Sequence, residues 1–570
     1  LQPITDLHFQ PVSFESFSPH GDQSQVLTFA VIGLLVLLVG CSNSVSLSLA
    51  AILERRRDIG IHKAIGALQR DILLQYLGEA VLLALLASIP AIALIEWLFP
   101  VLRTLLRLQQ QFEPTAQDFI MTAVIALVVG LASGAYPALV LAAVKPQEVL
   151  KTGGNSNVRS SYWLRALLVG FQYCFAIMLM IATLALFLQL QVVRDQPLGY
   201  NPHNLVYISP SNEMRKLGAI PIRQELQKIS GVTVISPINN PPNINFPLGI
   251  NTNKYSTHGA EETEVGIHTE SMGAEVLPML DIPLLAGRYF DEARDAHDQN
   301  TGRVADQNPG DKPENRLIVN RAASKALGFA DPEAAVDQVI YARFSDRNGK
   351  VNEMPTRIIG VVEDSMFSSL RRRPPPEAYN LMVLNSASTF TPSFLLKIKE
   401  GGIDSLQQEL QKGMLTINGS QQIYPQFVET QLKAEFTVEQ NQGKLLLYCA
   451  GLALFLSCIG LFGLASFTMQ RNVKEVGVRK VMGASVPSLT VLYLWRYAKP
   501  VLAASLIASP IAVYFVLQWL QRFPYQLEKW WLLPLCVAAG GIVLVIALLT
   551  VAGIVIKTAS TRPVQSLRYE

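Results

Sequence analysis

The feature that most constrains this chain is a set of long runs without a single charged side chain. Residues 26–53, 119–144, 166–193, 445–470, 501–521 and 530–556 contain no Asp, Glu, Lys or Arg, and a shorter run at 80–95 continues largely apolar past Glu96 to Leu102. About 20 apolar residues of helix cross a bilayer core. Backbone groups in hydrocarbon must be satisfied within the segment, so each run reads as a membrane-spanning helix. Seven such helices are expected, followed in chain order below as the first to the seventh. Core helices of a large soluble protein are the competing reading, but these runs exceed the usual length of such helices. Composition agrees: 16% of the residues are charged, against about a quarter in soluble domains.

The five cysteines, Cys41, Cys174, Cys449, Cys458 and Cys536, all fall in these runs, where Cys is a small hydrophobe. The long polar segment has none, so neither a disulfide framework nor a thiol metal site is expected. Seven His are scattered along the chain, and no residues suggest a catalytic or metal site. A net charge of +3 is too small to suggest a nucleic-acid partner.

Short loops rich in Lys and Arg stay in the cytoplasm. Arg55, Arg56, Arg57, Lys63 and Arg70 follow the first helix; Lys145, Lys151 and Arg159 follow the third; Arg471, Lys474, Arg479 and Lys480 follow the fifth; Lys557, Arg562 and Arg568 follow the seventh. The opposite segments are poorer, and residues 1–24 have no Lys or Arg. The N-terminus and residues 194–444 are therefore expected outside and the C-terminus inside.

The chain repeats itself at an offset of 417 (477 − 60). Arg57-Asp-Ile-Gly-Ile-His-Lys-Ala-Ile-Gly-Ala67 aligns with Lys474-Glu-Val-Gly-Val-Arg-Lys-Val-Met-Gly-Ala484, with Gly60, Lys63, Gly66 and Ala67 identical to Gly477, Lys480, Gly483 and Ala484. The same offset aligns residues 145–151 with 562–568. The first three helices thus match the last three in the same orientation, a parallel repeat. By symmetry the first copy should also have a helix and an outer domain, and roughly 250 residues of it are expected ahead of Leu1, with an eighth helix.

Both repeated motifs follow a membrane helix and lead into another. Ile59, Ile61, Ile65 and Leu68 are apolar, whereas Arg57, Asp58, Lys63 and Arg70 are polar. Such a surface on a short cytoplasmic helix suits docking in a groove on a partner. Gly66 and Gly483 allow a sharp turn or a close backbone approach. A charged stop-transfer collar is the plainer reading. It accounts for Arg55, Arg56 and Arg57 but not for the motif kept in both halves.

ERRRDIGIHKAIGA (54–67) and QRNVKEVGVRKVMGAS (470–485) resemble the signature after the second helix of FtsX-like permease domains. LLAGRYF (284–290), LIVNRAASKALGF (317–329) and RIIGVVEDSMFSSL (357–370) resemble the MacB-like periplasmic core domain, and LQPITDLHF (1–9) resembles its end. The resemblance implies an ABC-transporter permease of the bacterial inner membrane. It divides into a periplasmic stub (1–24), a first permease domain (25–152), a linker and fourth helix (153–193), a periplasmic core domain (194–444) and a second permease domain (445–570). It implies a cytoplasmic ABC ATPase dimer docking at Glu54, Arg57, Asp58, Gly60, Lys63, Gly66 and Ala67 and at Lys474, Glu475, Gly477, Arg479, Lys480, Gly483 and Ala484. ATP and Mg belong to that partner; no cofactor is expected on this chain. Its closure would move the outer domains, a mechanotransmission that exports or extracts a substrate.

His62 stands where the second copy has Arg479, so the two docking sites need not be equivalent. No P-loop is present: the Gly-Lys pairs at 349–350 and 443–444 lack the flanking Gly and Ser/Thr, which places the ATPase on a separate chain. Membrane lipid and a periplasmic adaptor or substrate protein are the further partners expected. Macrolides, peptides, lipoproteins and lipids all remain open as substrates. An FtsX-like regulator that activates an outside partner is the alternative function.

The outer segment reads as small α+β subdomains, with strands at 204–209, 317–319, 357–362 and 393–399, helices at 221–229 and 403–412, and loops at 237–247 and 371–376. Glu79 in the second helix maps onto Arg496 in the sixth. The two are a candidate intramembrane pair across the pseudo-twofold axis, with snorkelling of each to the interface as the alternative. Asn43 and the serines around it are read as packing between helices.

Overall fold

A computed structural model describes residues 23–106, 113–143, 158–240, 252–257, 264–298, 303–304, 314–345, 351–367, 374–384, 391–399, 425–521 and 523–561. The stub at 1–22, the paired segments 145–151 and 562–568, the loop 371–373 and the expected helix at 403–412 lie outside the described residues.

Four long helices come first: α1 (Gln23–Ala64), α2 (Gln69–Leu106), α3 (Ala116–Ala142) and α4 (Val158–Arg194). The outer segment supplies β1 (Leu205–Ile208), α5 (Ala219–Gln227), β2 (Val232–Ile238), β3 (Thr252–Ser256), β4 (Val265–Met272), β5 (Leu284–Gly287), β6 (Asn315–Asn320) and α6 (Arg321–Ala326). It continues with β7 (Val339–Ser345), β8 (Val351–Val362), β9 (Glu377–Leu381), β10 (Ser393–Ile398) and β11 (Gln426–Phe427). Helices α7 (Val428–Val481), α8 (Val486–Leu520) and α9 (Leu532–Ser560) follow. Two units result: a helical one (1–190, 438–520 and 527–570) and an α+β one (191–437 and 521–526).

Among the described residues, seven helices are long and apolar enough to cross a membrane, one in each expected run. Their outward surface is apolar: Leu82 is 58% exposed, Leu506 80%, Phe515 62% and Leu549 70%. A soluble bundle would bury these side chains, so this is a lipid-facing surface and the chain is a helical membrane protein.

Small residues let the helices approach closely. α3 packs on α2 at Gly130 and Gly134, where an added Cβ would lie 2.7 Å from Val81 Cα and 2.6 Å from Ala80 Cβ. α1, α4 and α7 meet at a buried polar contact: Asn43 Nδ2 donates to the Leu456 carbonyl at 2.5 Å, and Gln172 Nε2 donates to Ser42 Oγ at 2.9 Å. Gly460 leaves the room this needs, since a Cβ there would lie 2.1 Å from Asn43 Oδ1.

In the outer unit eleven strands form one sheet, in the order β9-β6-β8-β7-β3-β4-β2-β10-β1-β11 with β5 on β8. β9 also pairs in parallel with β4, Glu377 opposite His268 through Leu381 opposite Met272. Six strands thereby close into a ring, and neither β4 nor β9 is left as an open edge. The remaining wing, β2-β10-β1-β11, packs Val206, Ile208 and Leu396 against Ile222 and Leu226 of α5. Alternate residues of β6 serve two cores: Leu317 and Val319 join Ala323 of α6, and Ile318 joins Ile359 and Tyr379.

The motifs at 284–290 and 317–329 are folding determinants. Gly287 has φ +77°, and a Cβ there would lie 2.3 Å from the Ile359 carbonyl oxygen. Arg288 makes two 2.6 Å bonds to buried Asp295, which also accepts from Arg316 at 2.6 Å. Burial pushes the Asp295 carboxyl up, but the bonds from Arg288 and Arg316 outweigh it and hold it below the usual range. Asn320 caps α6 through the Ala323 N–H at 2.8 Å and accepts from the Glu377 N–H at 2.9 Å.

Two boundaries differ from the sequence reading. The loop expected from 237 begins inside β2, which runs to Ile238. Helix α7 begins at Val428 rather than 445, because Val428 and Leu432 are buried in the outer unit's core although the residues around them are polar.

Candidate functional site

The repeated motif occupies the last turns of α1 and α7 and the turns that follow. No separate docking helix exists there: residues up to Ala64 and Val481 continue the membrane helices without a break. This corrects the expectation of a short cytoplasmic helix. The motif lacks a breaker before its second glycine, so the helix runs on to it.

That glycine ends each helix. Gly66 and Gly483 have φ +113° and +95°, a region in which an L side chain is strained. The Ala67 N–H donates to the His62 carbonyl at 3.0 Å and the Gly66 N–H to Lys63 at 3.1 Å. The Ala484 N–H donates to the Arg479 carbonyl and the Gly483 N–H to Lys480, both at 3.0 Å. These are the two bonds of a Schellman cap, made twice by equivalent residues.

The repeated lysines turn inward. Lys63 Nζ donates to the Ala142 carbonyl at 2.6 Å, and Lys480 Nζ to the Thr561 carbonyl at 2.8 Å. Each cation satisfies an orphan carbonyl at or just past the end of its half's last helix, α3 or α9, where the helix dipole favours positive charge. Ile59 and Val476 are 3% and 1% exposed. Ile59 packs with Ile72 and Leu141, with Ala67 at the edge, and so leaves the docking surface where the sequence reading put it. Gly60 and Gly477 are buried too.

What each tip presents outward is different. Ile61 is 50% and Ile65 81% exposed; their equivalents Val478 and Met482 are 51% and 83%. Leu68 is exposed as well, and so are Asp58, His62, Lys474, Glu475 and Arg479. Glu475 and Arg479 pair along the helix at 2.8 Å. Glu54 and Arg57 lie on α1. Val478 and Met482 are not among the docking residues that the sequence suggests, although their i, i+4 spacing at a helix end was the signal.

Glu79 and Arg496 are both exposed. Gly443 and Lys444 lie within α7, not in a phosphate-binding loop. Among the described residues no group of three or more His, Cys, Asp or Glu side chains is placed to hold a metal ion.

A further buried polar cluster lies in the outer unit. Glu377, 1% exposed, accepts from the Tyr379 hydroxyl at 2.8 Å. Burial pushes its carboxyl up to about 7. Beside it, His268 Nε2 lies 3.1 Å from Glu270, and that hydrogen bond holds the imidazole above its ordinary value.

A family model described as FtsX-like permease C-terminal matches residues 30–146 and 449–563. The two matches end 417 residues apart (563 − 146), the offset of the repeat. The chain thus carries FtsX-like permease domains at two places. The macrolide export ATP-binding/permease protein MacB of Burkholderia cenocepacia is 44% identical over 72 residues, 13% of this permease and 11% of that protein. MacB of Bdellovibrio bacteriovorus is 30% identical over 129 residues, 23% and 20% of the two chains. The pyoverdine export ATP-binding/permease protein PvdT of Pseudomonas putida is 43% identical over 68 residues, 12% and 10%. The permease thus matches at most a fifth of the length of these relatives. The periplasmic region of MacB from Actinobacillus actinomycetemcomitans aligns over 42% of this chain and 96% of its own at 15% identity, with a TM-score of 0.27.

Proposed function

We propose that this chain is the permease subunit of an ATP-driven exporter, whose tips dock on a separate cytoplasmic ATPase dimer. One observation carries the reading. Each half ends its long helix in the same glycine cap, ties that cap to its last helix through lysine, and leaves an i, i+4 apolar pair exposed. A rigid tip with an apolar face is what a helix-in-groove partner takes. The relatives' names, with "export" and "ATP-binding" in them, agree with it. Closure of the ATPase would then push on α1 and α7, and α7, whose first turns belong to the outer unit, is our candidate lever for mechanotransmission.

The test is co-purification from the native host with the full chain in detergent. Ile65→Asp combined with Met482→Asp should abolish retention of an ATPase chain while the permease keeps its gel-filtration profile. Undiminished retention by this variant would sink the docking surface. Absence of any ATPase from an intact preparation would sink the exporter reading.

A further inference from the structure

On the second half of the helical unit, residues of α4, of α8 and of the last turns of α7 line a groove of about 1000 Å³. That is within the size of small-molecule sites, roughly 300–1,000 Å³. Its chemistry is graded. Three cations and one carboxylate line the mouth: Arg479, Arg496, Lys499 and Glu475. Arg496 and Lys499 immediately precede the charge-free run 501–521, so they lie at headgroup depth. The inner walls are apolar, with Phe171 on α4 and Ile507 on α8. From Arg496 to Ile507 the groove descends about 16 Å along α8, at 1.5 Å per residue.

A second observation points to a ligand. Tyr493 lines the groove and is 3% exposed, yet its hydroxyl has no hydrogen-bond partner among the described residues. A buried hydroxyl left without a partner is costly, and a phosphate or ester oxygen would satisfy it.

The repeat supplies an internal comparison. At the offset of 417, Tyr493 corresponds to Tyr76, but Arg479, Arg496 and Lys499 correspond to His62, Glu79 and Leu82. The scaffold is shared and the cations are not, so the fold does not demand them.

We propose that this groove holds one anionic phospholipid of the tip-side leaflet, its phosphate between Arg496, Lys499 and Tyr493 and an acyl chain between α4 and α8. Basic pockets between membrane helices suit such headgroups.

The test is native mass spectrometry of the full chain in mild detergent, after incubation with dioleoylphosphatidylglycerol or dioleoylphosphatidylcholine. The parent should retain one phosphatidylglycerol. Each cation near an anionic headgroup contributes about fivefold to binding, so Arg496→Glu with Lys499→Glu should lower its retention by at least about 30-fold. Phosphatidylcholine should not distinguish the two proteins. Arg496→Glu installs the other half's residue, which limits damage to folding. Ala503→Trp fills the groove wall and leaves every charge, and it should also expel the lipid. Equal phosphatidylglycerol retention by the charge variant overturns the proposal. So does retention by Ala503→Trp, which would place the lipid on the open surface. Displacement of phosphatidylglycerol by inorganic phosphate alone would make it a free-anion site and equally overturn it.

Discussion

Single residues decide how the outer unit responds to charge. Asp295 has a fully buried side chain and accepts from Arg288 and Arg316, the latter 10% exposed. Asp295→Asn leaves a buried guanidinium without its counter-charge, which costs about 3–5 kcal/mol. Calorimetry of the purified permease should show a lower unfolding temperature, and amide exchange should place the loss at β5 and β6. Glu377 works in the opposite sense. Its carboxyl titrates near 4.5 when unfolded and at about 7 when folded, so the folded state holds the proton more tightly. The groups facing it are His268 and Glu270 on β4, Tyr379 on its own strand and Asp364 after β8. Its contribution is full below pH 4.5 and lost as pH rises to about 7, on the order of 3 kcal/mol at 1.36 per unit. His268, also raised, loses its share in the same direction. Glu377→Gln keeps an acceptor for Tyr379 and removes its own titration, so the protection of β9 amides, corrected for the intrinsic pH dependence of exchange, should lose most of its pH dependence over that window and keep only the share of His268. An unchanged pH dependence would assign the effect elsewhere.

At the scale of elements, the tips show what sequence conveys and what it withholds. The charge-free runs specified seven helices because hydrocarbon forbids unsatisfied backbone. The repeated Gly66 and Gly483 marked the turns because a positive φ needs glycine. The roles of Gly60, Lys63 and Ala67 were not legible in the same way. The family resemblance makes all three partner contacts, yet Lys63 reaches Ala142, 79 residues away, and Gly60 is buried. A motif kept in two halves reports a shared need, and holding a helix end in place is as good a need as binding a partner. Only the neighbouring helix distinguishes them, and no local pattern names that neighbour. Likewise the polar stretch before 445 hid the start of α7, since just two of its side chains enter a core. Lys63→Met with Lys480→Met keeps most of each stem and removes the donor, leaving the Ala142 and Thr561 carbonyls unsatisfied. A hydrogen bond from a charged group contributes about 1.5–3 kcal/mol, so amide exchange in the last turns of α3 and α9 should accelerate at least tenfold. If exchange there is unchanged, the lysines face outward in solution and the docking role returns to them.

For the whole molecule, the parallel repeat poses a question that neither half answers alone. The two tips share a scaffold, but Leu68 is matched by Ser485 and His62 by Arg479, which is paired to Glu475. Two unlike tips on one chain form either one bivalent platform or two independent sites. Bivalent attachment raises affinity by about 10²–10⁴ over one site. On the platform reading, Ile65→Asp alone and Met482→Asp alone should each weaken ATPase binding by about 100-fold or more, with the bound stoichiometry unchanged at saturation. Their losses should differ, because the tips differ in charge and in exposed apolar surface. Independent sites give another pattern: each single change halves the ATPase bound at saturation and leaves the affinity of the remainder untouched. Titration of detergent-solubilised permease with its ATPase, followed by light scattering, separates the two. The platform pattern would mean that both halves are driven by one closure and that an eccentric push on α1 and α7 is built into the chain. The independent pattern would make the two halves separate motors that share a membrane domain.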